Sequence, residues 1–342
     1  MSLTLSEIET QFRGIVKDAG SKPLWSQTEV YRYANRVVND ICRQARVLRD
    51  GTTVTETLAT GTITLSGTAG QVDSVAVNGV TVTSAAVPFN STLTQTAADL
   101  AANITAYTSS PNYSATSALA VATVSAASGT GTTPNGYDIT VTCSGGLSAA
   151  VADMANGSCL SRLFVVAGQQ HYQKDPRIVD IEDGGIVLDT LGYALEKKSY
   201  ADFDIDTPTW ETDTGDPERF CMDFTEGYIS LNRIPVSADT GRLRIVRLPL
   251  RAMSATTDSP EIPEEYHDFI PEMMCRYAYD KKDSQTLDPQ SAMKYYGMCY
   301  DLKNPESYMN QIINMERAKR PLRRPSGRSE EHTSELQSPY VI

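Results

Sequence analysis

The chain has 342 residues, 40% of them hydrophobic, and carries 42 acidic against 30 basic side chains for a net charge of -12. That length supports two or three domains with a sizeable core, while the acidic balance argues against general binding to nucleic-acid phosphates, which needs clustered Lys and Arg. No apolar run approaches the roughly 18 to 20 residues of a membrane span, so no membrane partner is expected. The amino terminus mixes both charge signs and reads as no secretory signal, which implies synthesis in a cytoplasm. Cys42, Cys143, Cys159, Cys221, Cys275 and Cys299 are scattered without a C-x-x-C pair and read as reduced, structural residues.

Residues 1–50 read as leading helices. In "WSQTEVYRYANRVVNDICRQARVLRD", Ser26 and Glu29 have capping-box spacing, in which each side chain satisfies backbone donors at a helix start. Val30, Ala34, Val37, Ile41, Ala45 and Leu48 form one apolar stripe, with Arg32, Arg36, Arg43 and Arg46 largely opposite. Those arginines read as a solvated basic face or as a dock for an acidic neighbour.

Residues 51–160 change style. From Gly51 to Leu160 there is no Lys or Arg, and Thr, Ser, Ala, Gly and Val dominate. Period-two alternation in "GTITLSG", "VDSVAVNGVTV", "SATSALAVATVSA" and "YDITVTCSG" predicts half-buried strands. Asn78-Gly79 predicts a tight hairpin, because a type I′ turn needs positive φ at both central residues. Leu93, Ala97, Leu100, Ile104 and Tyr107 recur every three or four residues and predict one amphipathic helix. The segment therefore reads as a small β-rich module with one helix.

Residues 161–259 supply short strand signals, "RLFVVAG", "RIVDIEDGGIVL", "RFCMDFTEGYISLNRI" and "GRLRIVRLPL", separated by turn-rich stretches, and predict a small antiparallel sheet. Residues 260–327 return to helical period. Pro263 is expected to start a helix whose entrance carboxylates, Glu264, Glu265 and Asp268, favour the positive end of its dipole. Asp288-Pro289 and Asn304-Pro305 each place a capping residue before a proline, predicting helices over 289–303 and 305–319. The fold class is α+β.

Signatures of catalysis are missing: the chain contains no phosphate loop, no G-x-G-x-x-G and no G-x-S-x-G. His171, near Tyr172 and Asp175, reads as a polar residue at a strand edge. His267 stands among carboxylates, but only Glu264 has helical ligand spacing to it, and zinc needs three or four protein ligands. No catalytic, cofactor or metal residue is therefore assigned. A metal-dependent hydrolase using His171 and His267 is a remote reading.

The order of the pieces on either side of the module carries a resemblance. "WSQTEVYRYANRVVNDICRQARVL", "GQQHYQKDPRIVDIEDGGIVL", "SYADFDIDTPTWETDTGDPERFCMD" with Gly215-Asp216-Pro217, "GYISLNRIPVSADTGRLRIVRLPL" and "PEIPEEYHDFIPEMMCRYAYDKKD" together resemble head-to-tail adaptor (connector) proteins of tailed bacteriophages. The likeness covers roughly two thirds of the chain. It implies a non-enzymatic virion protein with a helical ring body, a homo-oligomer commonly of twelve copies. Such a ring sits between the portal protein and a tail or nozzle protein at the neck and continues the channel for DNA, which passes without sequence-specific binding. A lumen of like charge would let a duplex slide.

The module, which the simple family lacks, resembles immunoglobulin-like or β-sandwich insertions of phage structural proteins through "GTITLSGTAGQVDSVAVNGVTV" and "GTGTTPNGYDITVT". An alternative reading makes the protein a phage adhesion or carbohydrate-binding component acting through residues 51–160. Under the adaptor reading, Arg317, Lys319, Arg320, Arg323 and Arg324 are candidate portal or DNA contacts, and Trp210 and Tyr228 candidate interface anchors. Residues 328–342 resemble a translated sequencing-library adapter and are set aside as an artefactual tail.

Overall fold

A computed structural model describes residues 2–18, 20, 22–53, 55–222, 224–282 and 286–319. Helix and strand are mixed, with several sheets, one of them curled into a half-barrel. Among the described residues the α-helices are α1 (Leu5–Ile15), α2 (Gln27–Ala45), α3 (Leu93–Ala106), α4 (Tyr200–Asp206), α5 (Ile270–Tyr279), α6 (Pro289–Cys299) and α7 (Tyr308–Lys319). The chain divides into two compact units, one made of Met1–Val47 with the residues from Arg251 on, the other of Leu48–Leu250.

The first unit is helical. Reciprocal capping boxes start α1 at Thr4/Glu7 and α2 at Ser26/Glu29, and the predicted stripe of α2 is buried from Val30 to Ala45. α5 packs on α1 and α2, and α7 packs on α2. Leu5, Ile8 and Phe12 meet this core from α1, Met273 and Met274 from α5, and Met309 and Ile312 from α7.

Two expected helix starts differ in the structure. Pro263 does not open an α-helix; it caps a short 3-10 helix, Glu264–Phe269, which hands over to α5 at Ile270. Nor does Asn304 cap a helix over 305–319. Its amide donates to the Gly297 carbonyl at 3.1 Å, satisfying an acceptor at the end of α6, and the last helix begins only at Tyr308. α6 accordingly stops at Cys299, short of the expected residue 303.

The second unit begins with β1 (Arg49–Asp50) and then holds β2 (Glu56–Thr57), β3 (Thr60–Ser66), β4 (Gln71–Val77), β5 (Val80–Thr81), β6 (Val87–Pro88), β7 (Tyr113–Ala118), β8 (Val121–Ala126), β9 (Ile139–Ser144), β10 (Ser148–Ala155) and β11 (Ser158–Cys159). One four-stranded sheet runs β10-β3-β8-β7; in another, β4 pairs with β5, β6 and β9. The alternation read from sequence puts Ile63, Leu65, Val72, Val75, Val77 and Val124 into one core, to which α3 adds Ala97, Leu100 and Ile104. Asn78 (φ 47°) and Gly79 (φ 76°) form the predicted turn between β4 and β5.

The remaining strands are β12 (Arg162–Val165), β13 (His171–Gln173), β14 (Ile178–Leu188), β15 (Ala194–Lys197), β16 (Arg219–Met222), β17 (Tyr228–Leu231) and β18 (Asp239–Arg247). With β1 they form an eight-stranded sheet in the order β1-β18-β14-β15-β16-β17-β13, and β12 also pairs with β18. The expected antiparallel sheet needs one correction: β15 and β16 run parallel. Parallel neighbours need a crossover, and α4, capped by Ser199 and Asp202, lies within it where only loops were expected.

β14 bends at Gly184-Gly185, where its register to β18 shifts between Ile181 and Ile186. A Cβ on Gly185 would lie 2.5 Å from the Glu182 carbonyl oxygen and 2.9 Å from that of Arg244. Gly185→Ala is therefore expected to cost about 1 to 3 kcal/mol, measured as a lowered urea midpoint.

Candidate functional site

The helical unit carries an open groove of about 400 Å³ lined by Gln44, Arg276, Tyr296, Tyr300, Asp301, Leu302 and Lys303. Arg276, Tyr296 and Tyr300 of its lining stack as cation and rings, with Arg36 and Tyr277 as a second such pair on the same helical unit. The Arg276 guanidinium lies 4.7 Å from the Tyr296 ring centre and 4.8 Å from that of Tyr300, and Arg36 from α2 sits 4.1 Å over Tyr277. Tyr277 donates its hydroxyl to Asp40. Burial raises the Asp40 carboxyl above its ordinary range, against the opposing pull of the Tyr277 bond and of Arg36, Arg276 and Arg43.

Of α6 only Cys299 is buried. Met293 is 69% exposed and Leu302, just past the helix, 57%. Exposed apolar groups beside rigid Arg–Tyr stacks have the chemistry of a protein-docking surface, where aromatic residues, Met and Arg are enriched. Sequence reasoning missed this face. The only local signal was the aromatic density of "MKYYGMCYDL", whose rings could equally have been core.

Arg317, Lys319, Arg320, Arg323 and Arg324 are divided by the structure. Arg317 is exposed near the end of α7. Lys319 is engaged inside the chain, its ammonium donating to Tyr266 Oη at 2.8 Å, to Glu316 at 2.9 Å and to Glu265. Tyr266 in turn donates to Glu316 at 2.6 Å. Burial would lower the Lys319 ammonium, but these bonds outweigh it and hold it above its usual range. Lys319 thus pins α7 to the 3-10 helix. Arg320, Arg323 and Arg324 lie outside the described residues.

Trp210 is 1% exposed. Its indole N–H donates to Asp204 at 2.8 Å and its ring packs edge-on to Phe203, so within this chain it is core. The exposed aromatics around it are Phe224, 5.6 Å away, and Tyr200, 5.5 Å from Phe224. Tyr228 is half-buried on β17 opposite Gln173.

His171 shares a 2.8 Å hydrogen bond with Ser230 and stacks on Phe224; burial lowers its imidazole, with Glu211 opposing. Asp175 is committed to Arg177 at 2.8 and 3.0 Å. His267 is 1% exposed and both its nitrogens are used. Nδ1 accepts the Leu3 N–H at 3.0 Å, so Nε2 carries the proton and donates to the Ile262 carbonyl at 2.9 Å. No lone pair is left for a metal. Among the described residues no three His, Cys, Asp or Glu side chains gather as a metal-holding group.

His267→Ala leaves the Leu3 amide and the Ile262 carbonyl without their buried partner. It is expected to cost about 2 to 4 kcal/mol, read as a lowered melting temperature of the helical unit.

No protein-family model matches the chain, and no curated protein matches it.

Proposed function

We propose that this chain is a structural virion protein, a head-to-tail adaptor of a tailed bacteriophage. It assembles as a homo-oligomeric ring of twelve copies at the neck, between the portal protein and the tail or nozzle protein. Its work is binding and geometry, and DNA passes through the channel it continues.

The observation that carries this reading is the meeting of the two ends of the resemblance. α1 and α2, from before the module, pack with α5 and α7, from after the sheet, in one helical unit. An adaptor interrupted by an insertion would need that arrangement, with the helices as ring body. In this reading the module is the immunoglobulin-like or β-sandwich insertion, and the open face of α6 supplies contact to a neighbouring copy through a heterologous interface. Arg317, Arg320, Arg323 and Arg324 then serve as contacts to the portal or to DNA, while Lys319 holds α7 in place. Charge reversal at Arg320, Arg323 and Arg324 with unchanged particle assembly would remove those contacts from the proposal.

The functional test is a phage in which this gene is interrupted. Heads and tails are expected to accumulate unjoined. Tailed, infectious particles lacking the protein would overturn the reading, and tailed particles that fail only to adsorb would point to an adhesion role.

A further inference from the structure

The module carries a pocket of about 360 Å³ where the β4–β5 turn, the segment entering β7 and the loop after β8 converge. That volume falls within the usual range for small-molecule sites. Its walls are fixed. The Glu56 carboxylate accepts the backbone N–H groups of Gly129, Thr130 and Gly131 at 2.8 to 3.0 Å. The Thr133 hydroxyl donates to the Phe164 carbonyl at 3.1 Å, and Asn135 is bonded to both backbone groups of Gly157 at 2.7 and 2.8 Å. A loop pinned at three points presents a preformed cavity, which lowers the entropic cost of binding.

The lining is aromatic and neutral. Tyr113 and Tyr137 contribute rings, and Asn78, Ser110 and Asn112 stand around them with Val80 and Pro111. No charged residue lines the pocket, and residues 51–160 contain no Lys or Arg, so an anionic ligand would find no counter-charge. Tyr113 is 3% exposed, yet its hydroxyl makes no hydrogen bond to any described residue. The hydroxyl is not sealed from solvent, and with no partner among the described residues it is available to a group that enters the pocket. Burial, with a smaller contribution from Tyr137, pushes this phenol up to about 12, which keeps it a neutral donor. The side chains of Asn78, Asn112 and Tyr137 are likewise unbonded to described residues.

From the unpaired Tyr113 hydroxyl, the amide groups beside it, the half-buried Tyr137 ring and the lack of charge, we propose that this pocket binds one unit of a neutral saccharide. A ring face covers the apolar side of a sugar, and amides and phenols answer its hydroxyls, both being able to donate and to accept. The proposal does not depend on the adaptor reading.

The test uses the full chain, titrated by calorimetry and saturation-transfer NMR with glucose, galactose, N-acetylglucosamine and their disaccharides, and in parallel with sialic acid and a neutral peptide. At least one neutral sugar is expected to bind. Tyr113→Phe and Asn112→Ala are expected to weaken it about fivefold each, the effect of one lost neutral hydrogen bond, while Thr116→Ala on the exposed side of β7 leaves it unchanged. Because the Tyr113 hydroxyl has no partner among the described residues, Tyr113→Phe should not lower the melting temperature; a clear drop would show a structural role and overturn the assignment. Failure of every neutral sugar to bind, binding indifferent to both substitutions, or binding of the peptide or sialic acid alone would also overturn it.

Discussion

Asp50→Ala is expected to destabilise the Leu48–Leu250 unit by about 3 to 5 kcal/mol, the cost of removing a buried carboxylate that accepts one guanidinium and two backbone hydrogen bonds. The Asp50 carboxylate accepts the Arg247 Nε–H at 2.7 Å and the backbone N–H groups of Thr52 and Thr53 at 2.9 Å. Side-chain exposure is 9% for Arg247 and 4% for Asp50. The pair joins β1 to β18 at the edge of the eight-stranded sheet, so its loss removes the carboxylate that faces Arg247 Nε and frees the turn that follows β1.

Burial would raise the Asp50 carboxyl, but the bonds from Thr53, Thr52 and Arg247 overcome it and hold the group well below its ordinary value. A depressed folded-state value means that this stability is fully present above the unfolded value near 4 and is lost as pH falls through the folded one. Urea midpoints measured from pH 7 to pH 2 should therefore fall more steeply for the wild type below pH 4 than for Asp50→Asn. Equal slopes, or a loss under about 1 kcal/mol for Asp50→Ala at pH 7, would show that the pair is not closed in solution.

Trp25→Ala is expected to cost the helical unit a similar about 3 to 5 kcal/mol. Trp25 is 2% exposed and sits before α2, but its neighbours come from both ends of the chain. Its ring meets Phe12 edge-on at 5.9 Å and Tyr279 at 6.0 Å, and its indole donates to the Ala278 carbonyl at 3.2 Å. Truncation opens a cavity and leaves a buried carbonyl unpaired. Trp25→Phe should recover part of the loss by refilling the space without the N–H. If Trp25→Ala left the melting temperature within a degree of wild type, the leading helices and α5 would not share one core.

Features set by neighbours in sequence were legible before the structure. The capping box at Ser26 and Glu29, the stripe of α2, the turn at Asn78-Gly79 and the buried face of α3 each depend on residues within a few positions, where backbone chemistry leaves few choices. Features set by distant partners were not. His267 looked like a member of a carboxylate cluster, whereas its partners are a backbone amide 264 residues away and a carbonyl across the preceding turn. Asn304 fitted an N-cap by its place before Pro305, and its side-chain oxygen does accept the Glu306 N–H at 3.1 Å while its amide N–H donates back to the Gly297 carbonyl, but this makes a turn, and the helix begins only at Tyr308. The parallel pairing of β15 with β16 could not be read from alternation, since period two is the same for either direction. The Tyr113 pocket lies on three loops whose meeting no spacing announces, and Glu56, which fixes one wall, is separated from its partners by more than 70 residues.

Trp210 teaches the same lesson from the other side. A large aromatic in a loop-rich stretch suits an interface anchor or a core equally well, and only the positions of Phe203, Asp204 and Phe224 place it inside.

The proposed adaptor function stands on assembly, and electron microscopy of the purified chain, alone and mixed with a portal protein, tests it most directly. Closed rings of uniform rotational symmetry that seat on the portal are expected. Monomers that persist at high concentration and bind no portal would contradict it.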